Sequence, residues 1–204
     1  MSSPADTRVV IWSCDWAPYT LIRDAMAERF ARFWPDAPWP ISWAIEHDRT
    51  RAWGDFIIDV CGRFPEPVLV LWPDDFALTA PVDTGTLRRL RGVMDALGAD
   101  YFRFQPTPAC TEELLAGEYG PHRPGVMYSM SLHICAVRRD YLAAQARGCR
   151  TPWDMELHRP VAPIGKHFSV ARANRPISHV EMCKKGVLTP DGIRILTEGA
   201  WPTS

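Results

Sequence analysis

Apolar positions along the first third of the chain alternate between short unbroken runs and helical stripes. Arg8–Ser13 (RVVIWS) has the length of a strand and is closed by Cys14-Asp15. From Ala17 to Phe33, apolar Leu21, Ile22, Met26, Phe30 and Phe33 recur at helical spacing, with Arg23, Asp24, Glu28 and Arg29 between them. Pro35 and Pro38 stop that helix. Pro40–Ile45 predicts a second strand with His47-Asp48 at its end. Thr50–Cys61 predicts a second helix with Trp53, Phe56, Ile57 and Val60 on one side. Val68–Trp72, between Pro67 and Pro73, is apolar throughout, as in a strand covered on both faces. This order predicts an α/β fold: a parallel sheet with helices on its faces. Right-handed crossovers put the ends of the first and third strands on one edge.

Further on, the pattern predicts a helix over Thr86–Leu97 with Gly98 as its C-cap, and a strand over Asp100–Gln105. Pro106–Gly125 is rich in Pro, Gly and charge. It reads as a long functional loop, a lid or acceptor-binding segment, whose His122 and Arg123 are candidates to meet a phosphate. Met127–Val137 predicts a strand, and Arg138–Arg147 a helix ended by Gly148. Thr151 and Pro152 suit the cap and first turn of another helix. Ile164–Ala171 and Pro176–Met182 predict late strands, and Lys184-Lys185-Gly186 a turn. With no repeat, low-complexity tract or linker, residues 1–204 read as one domain.

Composition narrows the class. Of the 204 residues, 47% are apolar and 23% charged, as in a globular domain. A net charge of -1 supplies no long-range attraction to nucleic acid or anionic membrane. Six scattered cysteines without a CxxC pair fit neither a zinc knuckle nor a disulfide framework, so reduced thiols in a cytoplasmic protein are expected. No signal-peptide core opens the chain, and no window approaches the roughly 18–20 apolar residues of a spanning helix.

The chemistry concentrates at Asp74-Asp75, directly after the apolar third strand. Open α/β sheets bind ligands at the carboxyl ends of their strands, and adjacent carboxylates suit a hard cation with its phosphates. The same pair also fits a turn or a helix cap. Asp15, closing the first strand, is a candidate for the same pocket and equally for capping the first helix. No Gly-rich phosphate loop is present, which counts against a nucleotidyltransferase.

Three residue groups together resemble a family. The first is Ser13-Cys14-Asp15 with Tyr19, followed by Phe33-Trp34-Pro35-Asp36. The second is Leu71-Trp72-Pro73-Asp74-Asp75-Phe76 with Pro81-Val82-Asp83. The third runs from Tyr128-Ser129-Met130-Ser131-Leu132-His133 through Arg138-Arg139-Asp140-Tyr141-Leu142 to Thr151-Pro152-Trp153-Asp154-Met155-Glu156. In order and spacing, over about Arg8–Gly186, they are similar to small bacterial and viral glycosyltransferase-like proteins of the GT-A type. His133 stands where that family usually has Gln, and Val137 where it often has Trp, which bears on sugar or acceptor specificity.

The resemblance implies a GT-A-like three-layer sandwich with a mixed, mostly parallel central sheet. It implies a glycosyltransferase moving a sugar from a nucleotide-sugar to a hydroxyl acceptor, assisted by Mg²⁺ or Mn²⁺. Asp74 and Asp75 match the metal-holding acids, as a DD pair and not a strict D-x-D. Asp15 and Asp74 would contact the donor nucleotide. Asp154 or Glu156, with Glu156 favoured, would be the catalytic base that takes the acceptor proton. Trp153 and His133 would contact substrate, and a late histidine, His167 or His179, would add a metal ligand. Without the resemblance, Trp153–Glu156 reads as an ordinary acidic helix start. The acceptor would be a glycan or, in a viral setting, a hydroxymethylated DNA base. The DNA case requires a flipped base and a basic channel, and would be favoured by Arg88, Arg89, Arg91, Arg138 and Arg139 flanking the Asp75 cleft. The alternative is a non-catalytic nucleotide- or glycan-binding protein of the same fold.

Overall fold

A computed structural model describes residues 6–107, 110, 117–122, 127–157 and 165–198. The first half runs β1 (Thr7–Cys14), α1 (Tyr19–Phe33), β2 (Ile41–Glu46), α2 (Trp53–Arg63), β3 (Val68–Pro73), β4 (Phe76–Leu78) and α3 (Thr84–Ala96). Then come β5 (Tyr101–Arg103), β6 (Tyr119–Pro121), β7 (Cys135–Arg138), α4 (Arg139–Ala146), α5 (Pro152–Leu157) and β8 (His167–Val170). The chain closes with β9 (His179–Glu181), β10 (Cys183–Lys184), β11 (Val187–Leu188) and α6 (Pro190–Glu198).

The main sheet has the order β2-β1-β3-β7-β5-β8-β6. Five of these strands share one direction, while β7 and β6 oppose it. Residue alternation along β1 and β3 splits the core in two. Val9, Ile11, Val68, Val70 and Trp72 meet α1, α3 and α6 on one face. Val10, Leu69 and Leu71 meet α2, α4 and α5 on the other. The result is three layers, helix–sheet–helix, with a mixed sheet most of whose strands point the same way. Among the described residues no helix is long and apolar enough to cross a membrane.

As expected for parallel strands, Asp15, Glu46 and Asp74 all lie at the carboxyl edge of β1, β2 and β3. The late segments correct the sequence reading. The strand expected over Met127–Val137 begins only at Cys135. Upstream, Tyr128 adopts φ 61°, the Ser131 backbone bonds the Tyr101 hydroxyl, and the Ser131 hydroxyl and Leu132 N–H donate to Glu156, so side chains take the place of ladder bonds there. The expected Pro106–Gly125 loop contains β6, whose Tyr119 is buried beside Phe102; Arg123 lies outside the described residues. The expected Ile164–Ala171 strand is observed as β8, with Ile164 outside the described residues. Among the elements that drew no expectation are β4 and α6, whose start is closed by Thr189 Oγ1 accepting from the Gly192 N–H at 3.0 Å.

The second helical layer depends on one close approach. Gly54 opens α2 under the end of α4, and its N–H donates to Cys149 O at 2.8 Å. A Cβ at Gly54 would stand 2.0 Å from Ala146 O and 2.8 Å from Cys149 O. Both obstacles are backbone, so the helices must separate. Gly54→Ala is expected to cost at least about 1–3 kcal/mol. A urea midpoint that does not fall would show that α2 and α4 are free to move apart.

Candidate functional site

The carboxyl edge is built from the ends of β1, β3 and β5 with segments that cross over them. β3 runs straight into Asp74 and Asp75, and Trp72 holds the turn by donating its indole N–H to Phe76 O at 2.8 Å. Asp74 is 3% exposed. Its N–H donates to Trp12 O, and its Oδ2 accepts a short hydrogen bond from the Ser13 hydroxyl. Asp75 is half-buried, and its carbonyl accepts from the Met182 N–H at 2.6 Å.

Burial is the main electrostatic fact of the pair. It pushes the Asp74 carboxyl up to about 7. Burial, then Asp74, then Glu181 push Asp75 up to about 8. The Tyr19 hydroxyl is pushed up by burial and by Cys183, Asp75 and Asp74. The Cys14 thiol is pushed up to about 12 by burial and Asp74. Both thiol and phenol are therefore neutral neighbours of the acids.

The donor set fits a hard divalent cation that shares its ligands with a substrate. A buried and a half-buried carboxylate that repel each other are what Mg²⁺ or Mn²⁺ relieves. Among the described residues, no group of three or more His, Cys, Asp and Glu gathers for a metal. A closed protein cage is thus not built there, and phosphate or water would complete the shell. His167, a candidate ligand by sequence, has both nitrogens engaged: Nδ1 donates to Ser129 O at 2.9 Å and Nε2 accepts from the Tyr141 hydroxyl at 2.7 Å.

Next to Asp75 stands a wall of rings. Phe76 stacks on His179 with centroids 4.6 Å apart, and His133 meets Phe76 edge-on at 5.2 Å. Burial and Arg103 lower His133 to about 4, so the ring is neutral at physiological pH. Further in, buried Arg103 donates to Gln105 O and to His122 Nε2 at 2.7 Å, and burial holds His122 down at about 3.

The two acids of α5 have structural partners. Asp154 Oδ2 accepts from the Arg150 and Thr151 N–H groups at 2.7 and 2.8 Å, while Thr151 Oγ1 accepts from the Asp154 N–H. That is a reciprocal cap at the start of α5. Glu156 Oε1 accepts from the Leu132 N–H at 2.7 Å and the Ser131 hydroxyl at 3.1 Å, and Ser131 Oγ in turn accepts from the His133 N–H. Burial raises the Glu156 carboxyl above its ordinary value. Glu156 thus holds the loop that presents His133. Trp153 is 52% exposed on the same helix.

Asp15 sits on the rim. It pairs with Arg23 at 2.6 Å and His47 at 3.0 Å, and these bonds hold its carboxyl below the usual range. Three of the five arginines invoked for a DNA acceptor do not flank the acids. Arg91 bonds Thr7 at the start of β1, Arg138 pairs with Val68 at the start of β3, and Arg139 reaches Pro65 O. All three lie at the opposite edge of the sheet. Arg89 is paired with Glu118.

No protein-family model matches the chain. No curated protein matches it by sequence. Among solved structures it is similar to A197 from STIV, at 9% identity and a TM-score of 0.48, covering 87% of this chain and 86% of that one. A cytidylyltransferase from Leptospira borgpetersenii is similar at 11% identity and a TM-score of 0.43, covering 74% and 68%. A glycosyltransferase involved in glycosylation of the major capsid of PBCV-1 is similar at 11% identity and a TM-score of 0.33, covering 66% and 61%. The architecture described above rests on this chain's own strand order and register.

Sequence reasoning put Asp74 and Asp75 at one edge, and the resemblance added His133 as a substrate contact. It missed Gln105 and Arg175, which both reach His179 Nδ1, at 3.2 and 2.9 Å. Neither residue stands in a motif. Only the crossing of β9 over β4 brings them to the Phe76 wall.

Proposed function

We propose that this protein transfers a sugar from a nucleotide-sugar donor to a hydroxyl acceptor at the carboxyl edge of its sheet. The observation that carries the reading is the Asp74-Asp75 pair at the end of β3, Asp74 buried and Asp75 half-buried, with no third metal-ligating group gathered beside them among the described residues. A divalent cation held by Asp74 and Asp75 would supply the positive charge that a departing nucleoside diphosphate needs. Ser13 orients Asp74 through its hydroxyl, and the turn bonded to Trp72 fixes where both carboxyls stand. Neutral His133 has no hydrogen bond on either ring nitrogen among the described residues, so it is able to accept one from an acceptor hydroxyl. Glu156 positions His133 through Ser131 and Leu132. Trp153 offers an exposed face on which a sugar ring can stack.

Calorimetric titration of UDP, GDP, CDP and ADP, each with Mn²⁺ and with EDTA, tests the reading on wild type and Asp75→Asn. One nucleotide is expected to bind tightly only with metal and only with Asp75 intact. Nucleotide binding that ignores both metal and Asp75 would make the acid pair structural.

A second reading, a non-catalytic nucleotide- or glycan-binding protein, is favoured by the acceptor-side acids. Asp154 and Glu156 both spend their described bonds on backbone and loop. Nucleotide binding without sugar transfer or donor hydrolysis would select it.

A further inference from the structure

Apolar side chains on α5 point both ways. Met155 is buried in the second core layer, while Trp153 and Leu157, four residues apart on the opposite stripe, are 52% and 38% exposed. The Tyr128 N–H donates to Glu156 O at 2.8 Å, so residues 127–128 lie against the last turn of this helix. There Met127 and Tyr128 are 67% and 40% exposed. Four of the seven large apolar side chains found exposed among the described residues thus gather at one place. Exposed apolar residues scattered singly are ordinary, whereas a gathered set marks a contact surface.

Size and charge decide what covers it. A stable protein interface takes about 20–30 residues a side, far more than this patch offers. The cations beside it, Arg147 and Arg150, stand exposed in the connection from α4 to α5, and neither side chain pairs with a carboxylate of the described residues. The acids of α5 are turned to other donors: Asp154 to the Arg150 and Thr151 N–H groups, Glu156 to Leu132 and Ser131. Two copies meeting about a two-fold axis would set these arginines against each other with no acid to meet them. An anionic lipid surface meets both features. Trp and Tyr suit the headgroup level with their apolar bodies and polar tips, and nearby arginines are drawn to acidic lipids. The net charge of -1 supplies no long-range pull, so the attraction is local.

We propose that Trp153 and Leu157, with Met127 and Tyr128, dock this protein on an anionic lipid surface, Arg147 and Arg150 meeting the headgroups. The binding is peripheral and uses side chains on one short helix and the turn beside it. Glu156, on the same helix, holds the loop that presents His133. Docking therefore brings an acceptor carried by a lipid toward that ring, and this last step alone rests on the transferase reading.

The test is co-sedimentation with vesicles of phosphatidylcholine, alone or mixed with phosphatidylglycerol. The proteins are wild type, Trp153→Ser, Leu157→Ser, the double variant Arg147→Gln/Arg150→Gln, and Val187→Ser, with folding checked by circular dichroism. Val187 is equally exposed, but its strand packs through Leu188 on the other face of the sheet. Wild type is expected to bind the mixed vesicles, more weakly as salt rises, and the neutral ones poorly. Trp153→Ser and Leu157→Ser are each expected to weaken binding by about fivefold or more, and the arginine pair by about tenfold or more. Val187→Ser should bind as wild type does. No binding to mixed vesicles, equal binding to both kinds, or binding that ignores all the α5 variants overturns the docking surface. A concentration-dependent dimer that Leu157→Ser abolishes, without vesicle binding, overturns it in favour of a second copy. Vesicle binding through α5 in a protein that binds no nucleotide with Mn²⁺ keeps the docking surface and overturns the transferase reading. Nucleotide binding that needs Asp75, without vesicle binding, does the reverse.

Discussion

Asp75→Asn is expected to raise the melting temperature by several degrees near pH 8 while removing metal-dependent nucleotide binding. The gain follows from the folded-state carboxyl, lifted to about 8 by burial, Asp74 and Glu181. An unfolded Asp ionises near about 4. The folded state therefore holds the proton more tightly than the unfolded chain. Stability linked to this group is fully present at acid pH, and it falls as pH rises from about 4 through about 8. Asn keeps the shape and carries no charge, so the variant escapes the loss. The difference is on the order of a few kcal/mol near pH 8, which is several degrees for a domain of this size. Near pH 4 the two proteins should melt alike. Added Mn²⁺ should stabilise the wild type near pH 8 and leave the variant unchanged. Equal melting temperatures at both pH values would mean that water reaches Asp75 freely and the burial argument fails.

Trp72→Ala should be the most destabilising single change in the first core layer, at about 3–5 kcal/mol. Trp72 is fully buried and meets Phe30 at 4.8 Å and Trp34 at 6.0 Å, so truncation leaves a large void between β3 and α1. The indole also bonds Phe76 O across the Asp74-Asp75 turn. Trp72→Phe separates these two contributions. It keeps an aromatic ring in the core but leaves Phe76 O without its donor, a loss of about 1–3 kcal/mol. Denaturant midpoints should thus order as wild type, Phe, Ala. Nucleotide affinity in Trp72→Phe should fall further than its stability alone explains, because the loosened turn carries the acids. Unchanged affinity in Trp72→Phe would show that the turn holds its shape without the bond.

These two residues mark how far the sequence could be read. Val68–Trp72 is apolar at every position, and a strand buried on both faces is the arrangement that fits it, so the carboxylates after it had to meet an edge. The parallel start β1–β2–β3 followed from run lengths and crossover handedness, both local or general properties. The Thr151 cap was equally legible, and its hydroxyl accepts from the Asp154 N–H, while the return bond from Asp154 was not read.

What stayed hidden depends on contacts between distant segments. Ser129–His133 has the composition of a strand, yet Glu156, some 24 residues on, takes the Leu132 N–H and the Ser131 hydroxyl and bends the backbone out of the sheet. A carboxylate carries no mark in sequence of whether it will meet a substrate or a backbone. Arg175 and His179 are ordinary residues until β9 pairs with β4. By itself, then, the sequence determined the layers, the first three strands and the acid pair at their edge, because periodicity and chain direction are local. Tertiary structure alone decided which polar groups are spent on the fold and which remain for a ligand. That division is set by hydrogen-bond partners many residues apart, and no local pattern encodes them.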